Sequence, residues 1–264
     1  MATVADILTY IESLAPRSMK MDWDNVGLLC GRRNQAVTKI LVALDPFRNV
    51  IDEAVTEKAD LIVTHHPLIF RSPLMAVSED SEAGRCVLTL IEHGIAAINA
   101  HTNLDLAPGG INDVLAQTLE LSDIEVVNPE GVDAEGRPYG LLRCGFVNEQ
   151  PLSAFLGHVK EKLNCGGLRY VDCGTPVRKV AVGGGSCADE MWEALEAGCD
   201  TFVTADVKYN QFRTAYENGL NLIDAGHFHT ENPTMPVLTA KLQAAFPEVT
   251  VKFSANHTDC MKFF

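Results

Sequence analysis

One pattern constrains this chain more than any other: an alternation of buried strands and helices that occurs twice. The run Lys39-Ile-Leu-Val-Ala-Leu-Asp45 is short, apolar and β-branched, as a buried parallel strand must be. A helical stretch from about Val50 to Lys58 follows it. Then come a strand at Leu61–Thr64, a helix at Glu82–His93 and a third strand at Ala96–Asn99. Strands separated by helices of this length predict βαβ units. The second half repeats the order at an offset of 140, pairing Lys39 with Lys179, Ala54 with Ala194, Asp60 with Asp200, Val63 with Val203 and Thr64 with Thr204. Farther on the offset is 125, pairing Glu92 with Glu217, Gly94 with Gly219, Ile98 with Ile223 and Ala100 with Ala225. The drop matches a longer loop around Pro67–Asp80 in the first half. A duplicated unit is the expectation: an α/β protein of two similar, interlocked α/β units with mainly parallel sheets, residues 1–125 and 126–264, packed as one body. Val126–Gly140, rich in Gly, Pro and charge, reads as the loop between them. Leu152–Leu163 reads as an amphipathic helix with Leu152, Phe155, Leu156, Val159 and Leu163 on one stripe.

Composition narrows the function. Of 264 residues, 47% are hydrophobic, enough for a well-filled core, and 35 acidic against 21 basic side chains leave a net charge of −14. Phosphate contact needs a basic face, so no nucleic-acid partner is expected. The longest apolar stretches, such as Ile95–Ile98, fall far short of a membrane span. The opening Met-Ala-Thr-Val-Ala-Asp puts an acid where a signal peptide carries basic residues, so the cytoplasm is the expected compartment. Eight cysteines stand singly, with no Cys-x-x-Cys pair, and are expected reduced and mostly buried.

The polar residues at the strand ends could do chemistry. In an open parallel sheet, ligands gather at the carboxyl ends of the strands. His65-His66 ends the second strand, and a turn at Pro67 can make the two rings converge. The third strand ends in Asn99-Ala-His101-Thr-Asn-Leu-Asp105, and its counterpart in Asp224-Ala-Gly-His227-Phe-His-Thr-Glu231. Both place His-x-x-x-carboxylate just after the strand, and a helical turn puts the two groups on one face. His65, His66, Asp105, His227 and Glu231, with His101 and His229 as further candidates, are too many donors for one closed tetrahedral zinc site. They suit two ions roughly 3.5–4 Å apart that share a carboxylate. The metal site is thus expected between the two units, at strand carboxyl ends. Asp45 ends the first strand and Asp206 follows the Asp200–Thr204 strand; both are candidates to touch a ligand, with Lys208 nearby to pair with a carboxylate. Gly183-Gly-Gly-Ser186 lacks the features of a phosphate loop and reads as a tight turn or close backbone approach. His93, His158 and His257 show no partner pattern and read as structural or surface residues.

Taken together, Trp23-Asp-Asn-Val-Gly-Leu28, Thr64-His-His-Pro-Leu-Ile-Phe70, His101-Thr-Asn-Leu-Asp105 and Asp224-Ala-Gly-His-Phe-His-Thr-Glu231 resemble the Nif three-like family. Its members carry labels such as dinuclear-metal-centre hexameric protein or GTP cyclohydrolase 1 type 2-like protein. The resemblance runs from about Val4 to the C-terminus and matches the short form, without the domain that longer members insert between the halves. It implies a homohexameric ring, a trimer of dimers, whose metal sites face an inner cavity. It also implies His65, His66, Asp105, His227 and Glu231 as ligands, Glu231 as the bridge, and His101 in or beside the coordination sphere. Asn210 departs from the family pattern, where many relatives carry histidine.

The activity expected is that of a metal-dependent hydrolase with two divalent ions per subunit, zinc, manganese or iron, and with His101 or His229 moving protons. The family label points to GTP, and another nucleotide or a phosphoester suits the same metal pair. A second reading is a metal-binding or chaperone protein without turnover. A third is a regulatory scaffold that uses the ring surface for partners.

Overall fold

Apolar β-branched runs flanked by helices form two sheets in the computed structural model, which describes residues 1–70, 74 and 76–264. The contacts divide the chain into two units. The first, Met1–Leu104 with Met235–Thr258, is built on β1 (Gly27–Cys30), β2 (Lys39–Ala43), β3 (Leu61–Thr64) and β4 (Ala96–Asn99). β2, β3 and β4 run parallel, and β1 lies antiparallel along β4. Helix α1 (Val4–Leu14) begins with a capping box: the Asp6 amide donates to Thr3 Oγ1, and the Asp6 carboxylate accepts from the Thr3 amide. Helices α2 (Arg48–Glu57) and α3 (Glu82–Glu92) supply the crossovers. Their apolar stripes, Val50, Ile51 and Ala54 on one and Cys86, Val87 and Leu90 on the other, share a core with Leu41 and Ile62 of the sheet. Residues 71–73 and 75, part of the loop expected at Pro67–Asp80, lie outside the described residues.

The second unit is Asp105–Thr234 with Asp259–Phe264. It opens with the short helix α4 (Thr102–Leu106), which spans the division, and α5 (Ile111–Thr118). Then follow β5 (Ser122–Val127), the small hairpin β6 (Gly131–Val132) and β7 (Pro138–Tyr139), β8 (Leu142–Gln150) and α6 (Leu152–Lys162). The sheet continues with β9 (Arg169–Val171), β10 (Val177–Val182), β11 (Thr201–Thr204) and β12 (Asn221–Asp224), with α7 (Met191–Glu196), α8 (Tyr209–Glu217) and α9 (His227–Glu231) after the last three. Strand order is β5-β8-β10-β11-β12-β9; the central trio is parallel and the flanking pairs are antiparallel. The segment read as a loop at 126–140 therefore contains the end of β5 and a hairpin. The helix read at Leu152–Leu163 forms and buries Leu152, Phe155 and Val159.

Helix α10 (Thr234–Ala245) and strand β13 (Thr250–Phe253) then return to the first sheet, where β13 lies parallel to β2. By its contacts the chain thus divides at Leu104 and again at Met235 and Thr258. A terminal strand has no local marker of its sheet, because only its partner's exposed edge decides where it pairs.

The two halves repeat each other in detail. Asp60 accepts from the Thr38 and Lys39 amides, and Asp200 from the Arg178 and Lys179 amides. Lys39 Nζ donates to the Glu57 carbonyl and Lys179 Nζ to the Ala197 carbonyl, each at 2.6 Å. Six of the eight cysteines are buried; Cys173 is half-buried and Cys260 exposed. No helix among the described residues is long and apolar enough to cross a membrane.

Candidate metal centre

Strand β3 ends on its histidines because the chain turns there: Thr64 Oγ1 donates to the His66 carbonyl at 2.7 Å, and the His66 amide to the Leu44 carbonyl. The turn brings both rings to one side, with centroids 4.9 Å apart. His101, just beyond β4, joins them at 5.1 Å from His65 and 5.6 Å from His66. One ring nitrogen from each of the three falls within 4.8 Å of the others. Each ring is oriented through Nδ1. His65 donates to the Ala100 carbonyl at 2.9 Å, His66 to Asp45 at 2.6 Å and His101 to Asp24 at 2.8 Å. A carbonyl can only accept, and an ionised carboxylate likewise, so the proton sits on Nδ1 and Nε2 is the acceptor.

The second unit contributes carboxylates. His227 and Glu231 open and close α9, and the helical spacing puts His227 Nε2 3.2 Å from Glu231 Oε1. Asp105 belongs to the same unit, and one of its oxygens lies within 4.8 Å of one from Glu231. His227 Nδ1 is held by Asp206 at 2.7 Å. The glycine turn after β10 makes room for this group. A Cβ at Gly185 (φ +64°) would press into Glu231 Oε1 and lie 3.1 Å from His227 Nε2. The Gly184 amide donates to Asn112 and the Gly185 amide to Thr230, which fixes the turn.

The electrostatics are those of a site built for positive charge. Burial opposes ionisation of Asp45, yet hydrogen bonds from His257 and His66 hold its carboxyl well below the usual range. The same balance, with His101 and Thr102 as donors, depresses Asp24. For His227, burial works against the charged ring, but Glu231 and Asp206 hold its proton up to about 11. Three imidazoles in one unit, and two carboxylates with an imidazole in the other, are a donor chemistry that fits first-row divalent ions.

A model of the Duf34/NIF3 (NGG1p interacting factor 3) family matches residues 2–260. The chain belongs to that family. A Clostridium perfringens relative called GTP cyclohydrolase 1 type 2 homolog is 36% identical, covering 90% of each chain. A Streptomyces coelicolor relative of the same name is 37% identical, covering 92% of this chain and 86% of that protein. Among solved structures, the Staphylococcus aureus hypothetical protein SA1388 superposes with a TM-score of 0.92 at 30% identity over 99% of both chains. A Bacillus cereus protein related to NIF3 gives 0.92 at 27% identity, over 100% of this chain and 99% of that one.

In this Duf34/NIF3 chain the sequence-derived candidates fall into three groups. His65, His66 and His101 come together in the first unit, and Asp105, His227 and Glu231 in the second. His229 goes elsewhere: its Nδ1 faces the Leu163 carbonyl and its Nε2 the Asp259 carboxylate, both at 3.1 Å. Asn210 lies exposed in the first turn of α8. Three residues escaped sequence reasoning. Asp24 accepts from His101, from the Thr102 amide and from Thr102 Oγ1; its only trace is its place in Trp23-Asp-Asn. His257, read as structural or surface, is buried and bonds Asp45 at 3.3 Å. Arg143, fully buried, donates to Asp113 and to the Leu106 carbonyl just after Asp105.

Proposed function

We propose that this chain is a metal-dependent hydrolase whose two divalent cations are held by His65, His66, Asp105, His227 and Glu231, with Glu231 shared. One observation carries the reading: three imidazoles converge in the first unit, Glu231 lies close to His227 and to Asp105 in the second, and each of these imidazoles has its Nδ1 proton directed by a carbonyl or carboxylate. The cradle at Gly185 supports it, since the backbone there stays bare to let the Glu231 carboxylate in. Bound divalent cations supply Lewis acidity and bring the pKa of a water toward neutrality. The chain's own residues do the rest. His101, anchored by Asp24, takes a proton at Nε2 and returns it to the leaving group. His229 holds the C-terminal segment through Asp259. The names of the relatives point to GTP, and another nucleotide or a phosphoester would present the same kind of group. The reading includes assembly as a homohexameric ring.

Elemental analysis of untagged protein tests it. About two ions per chain are expected in the wild type, with marked loss in Glu231→Ala. Loaded protein is then screened against nucleotides and phosphoesters. His101→Gln should lose most of the rate and keep its metal, whereas His229→Gln should lower the melting temperature and leave the rate. Metal without turnover on any of these substrates would leave a metal-binding or chaperone protein. No metal, and no uptake of zinc, manganese or ferrous iron, would end the hydrolase reading.

A further inference from the structure

Trp23 and Phe70 stand beside the histidine trio without joining it. Trp23 is 47% exposed and Phe70 44%. Their rings meet edge to face with centroids 5.9 Å apart, and each lies edge-on to His101, at 6.1 and 5.6 Å. With interplanar angles of 83°, 71° and 83°, the three rings pack steeply against one another as an aromatic corner.

The loop that presents Trp23 is tied on every side. The Met21 amide donates to Thr102 Oγ1, the Asp24 amide to the Met21 carbonyl, and Asp24 itself grips His101 and Thr102. Asn25 Nδ2 donates to the Ile69 carbonyl at 2.8 Å, which couples this loop to the residue before Phe70. The Asn25 carbonyl accepts from Asn99 at the end of β4. A large ring on so constrained a loop gives up little further freedom on contact with a ligand.

We propose that Trp23 and Phe70 form a stacking site for a planar heteroaromatic ring of the nucleobase class, held next to His101. Partly exposed aromatic rings favour a flat π partner, which an alkyl chain does not offer. The imidazole edge favours a ring that carries nitrogen and oxygen at its rim, which a plain hydrocarbon ring lacks. Stacking one base on an aromatic side chain changes affinity by roughly 5- to 150-fold. The inference deepens the proposed hydrolase by naming the part of the substrate that is gripped. It rests on that reading for the site's purpose, but ring binding is measured without turnover.

Equilibrium dialysis with labelled guanosine and adenosine, and with ribose as the non-aromatic control, decides it, with zinc present and absent. The nucleosides should bind and ribose should not. Trp23→Leu should weaken nucleoside binding about tenfold or more, and Phe70→Leu should weaken it less. Trp23→Phe should retain most of the affinity. Unfolding midpoints of all variants establish that they fold; should Trp23→Leu not fold, Phe70→Leu against Trp23→Phe carries the decision. Absence of nucleoside binding, or equal binding by the leucine variants, overturns the proposal. So does a change of oligomeric state in Trp23→Leu with nucleoside binding intact, which would assign the corner to a subunit contact. Nucleoside binding in a protein that hydrolyses nothing would sink the hydrolase and leave the ring site standing.

Discussion

Asp45 stands between two imidazoles, bonded to His66 at 2.6 Å and to His257 at 3.3 Å. Through the first bond it orients a proposed ligand; through the second it is itself held. Partners of this kind set the tautomer of a ligand and the aim of its lone pair, and their loss typically costs 10- to 100-fold in metal affinity. Asp45→Asn keeps the shape but removes the charge, and its amide can present nitrogen to His66. We expect zinc affinity in the Asn variant to fall by about that factor, read by competition with a chromophoric chelator. Affinity unchanged from wild type would exclude Asp45 from the positioning role. The same logic separates the histidines named from sequence. His101 has its Nδ1 on Asp24 and its ring among the other imidazoles, while both nitrogens of His229 face protein partners. Residue type could not distinguish them, because both are histidines just past the end of a strand.

Among the elements, the duplication explains both the likeness of the units and their difference in donors. The strand-capping aspartates Asp60 and Asp200, and the lysines Lys39 and Lys179, occupy matching places and make matching bonds. At the strand ends the copies diverge. By the offset of 140, His66 corresponds to Asp206 and Asp45 to Gly185. The first unit thus presents imidazoles backed by carboxylates. The second replaces one carboxylate by bare backbone, against which Glu231 fits. The edge strand adds a further tie, since Lys252 on β13 and Lys39 on β2 both reach Glu57 at the end of α2. The ammonium of Lys252 first, and that of Lys39 second, hold the Glu57 carboxyl below its ordinary 4.5. A depressed folded-state pKa means the stabilisation is complete above 4.5 and is lost as pH falls through the lowered value. Urea midpoints of wild type and Glu57→Gln should therefore differ at neutral pH and converge in strong acid. A constant difference across the range would remove Glu57 as the source.

At the scale of the whole molecule, the C-terminal segment serves both units in turn. β13 pairs with β2, and the residues after it cap Glu53 through Ser254, Ala255 and Asn256 before His257 reaches Asp45. From Asp259 onward the chain belongs to the second unit, where Asp259 meets His229. Two truncations separate these roles. A chain ended after Thr258 should keep its full complement of metal and melt at a lower temperature. One ended after Val249 loses an edge strand and the second partner of Asp45, and should lose bound metal as well. Equal metal content in both truncated proteins would show that β13 and His257 do not support the site.

Much of this was legible without a structure. Alternating apolar runs determine strands and helices through local periodicity, and matching residues at one offset reveal a duplicated unit. The strand-end position of His65, His66, Asp105, His227 and Glu231 follows from the same pattern, as does their suitability for cations. Three things were decided only in three dimensions. β13 joins a sheet whose nearest strand in space lies some two hundred residues earlier; β5 and β8 flank a parallel core in antiparallel register; and Asp24 and His257 arrive beside His101 and Asp45 from distant segments. Periodicity reports only which face of an element is buried, which is a property of neighbouring residues. Partners brought together by closing a long loop are chosen by the edges and pockets left open once the rest has packed, and no local pattern records that choice.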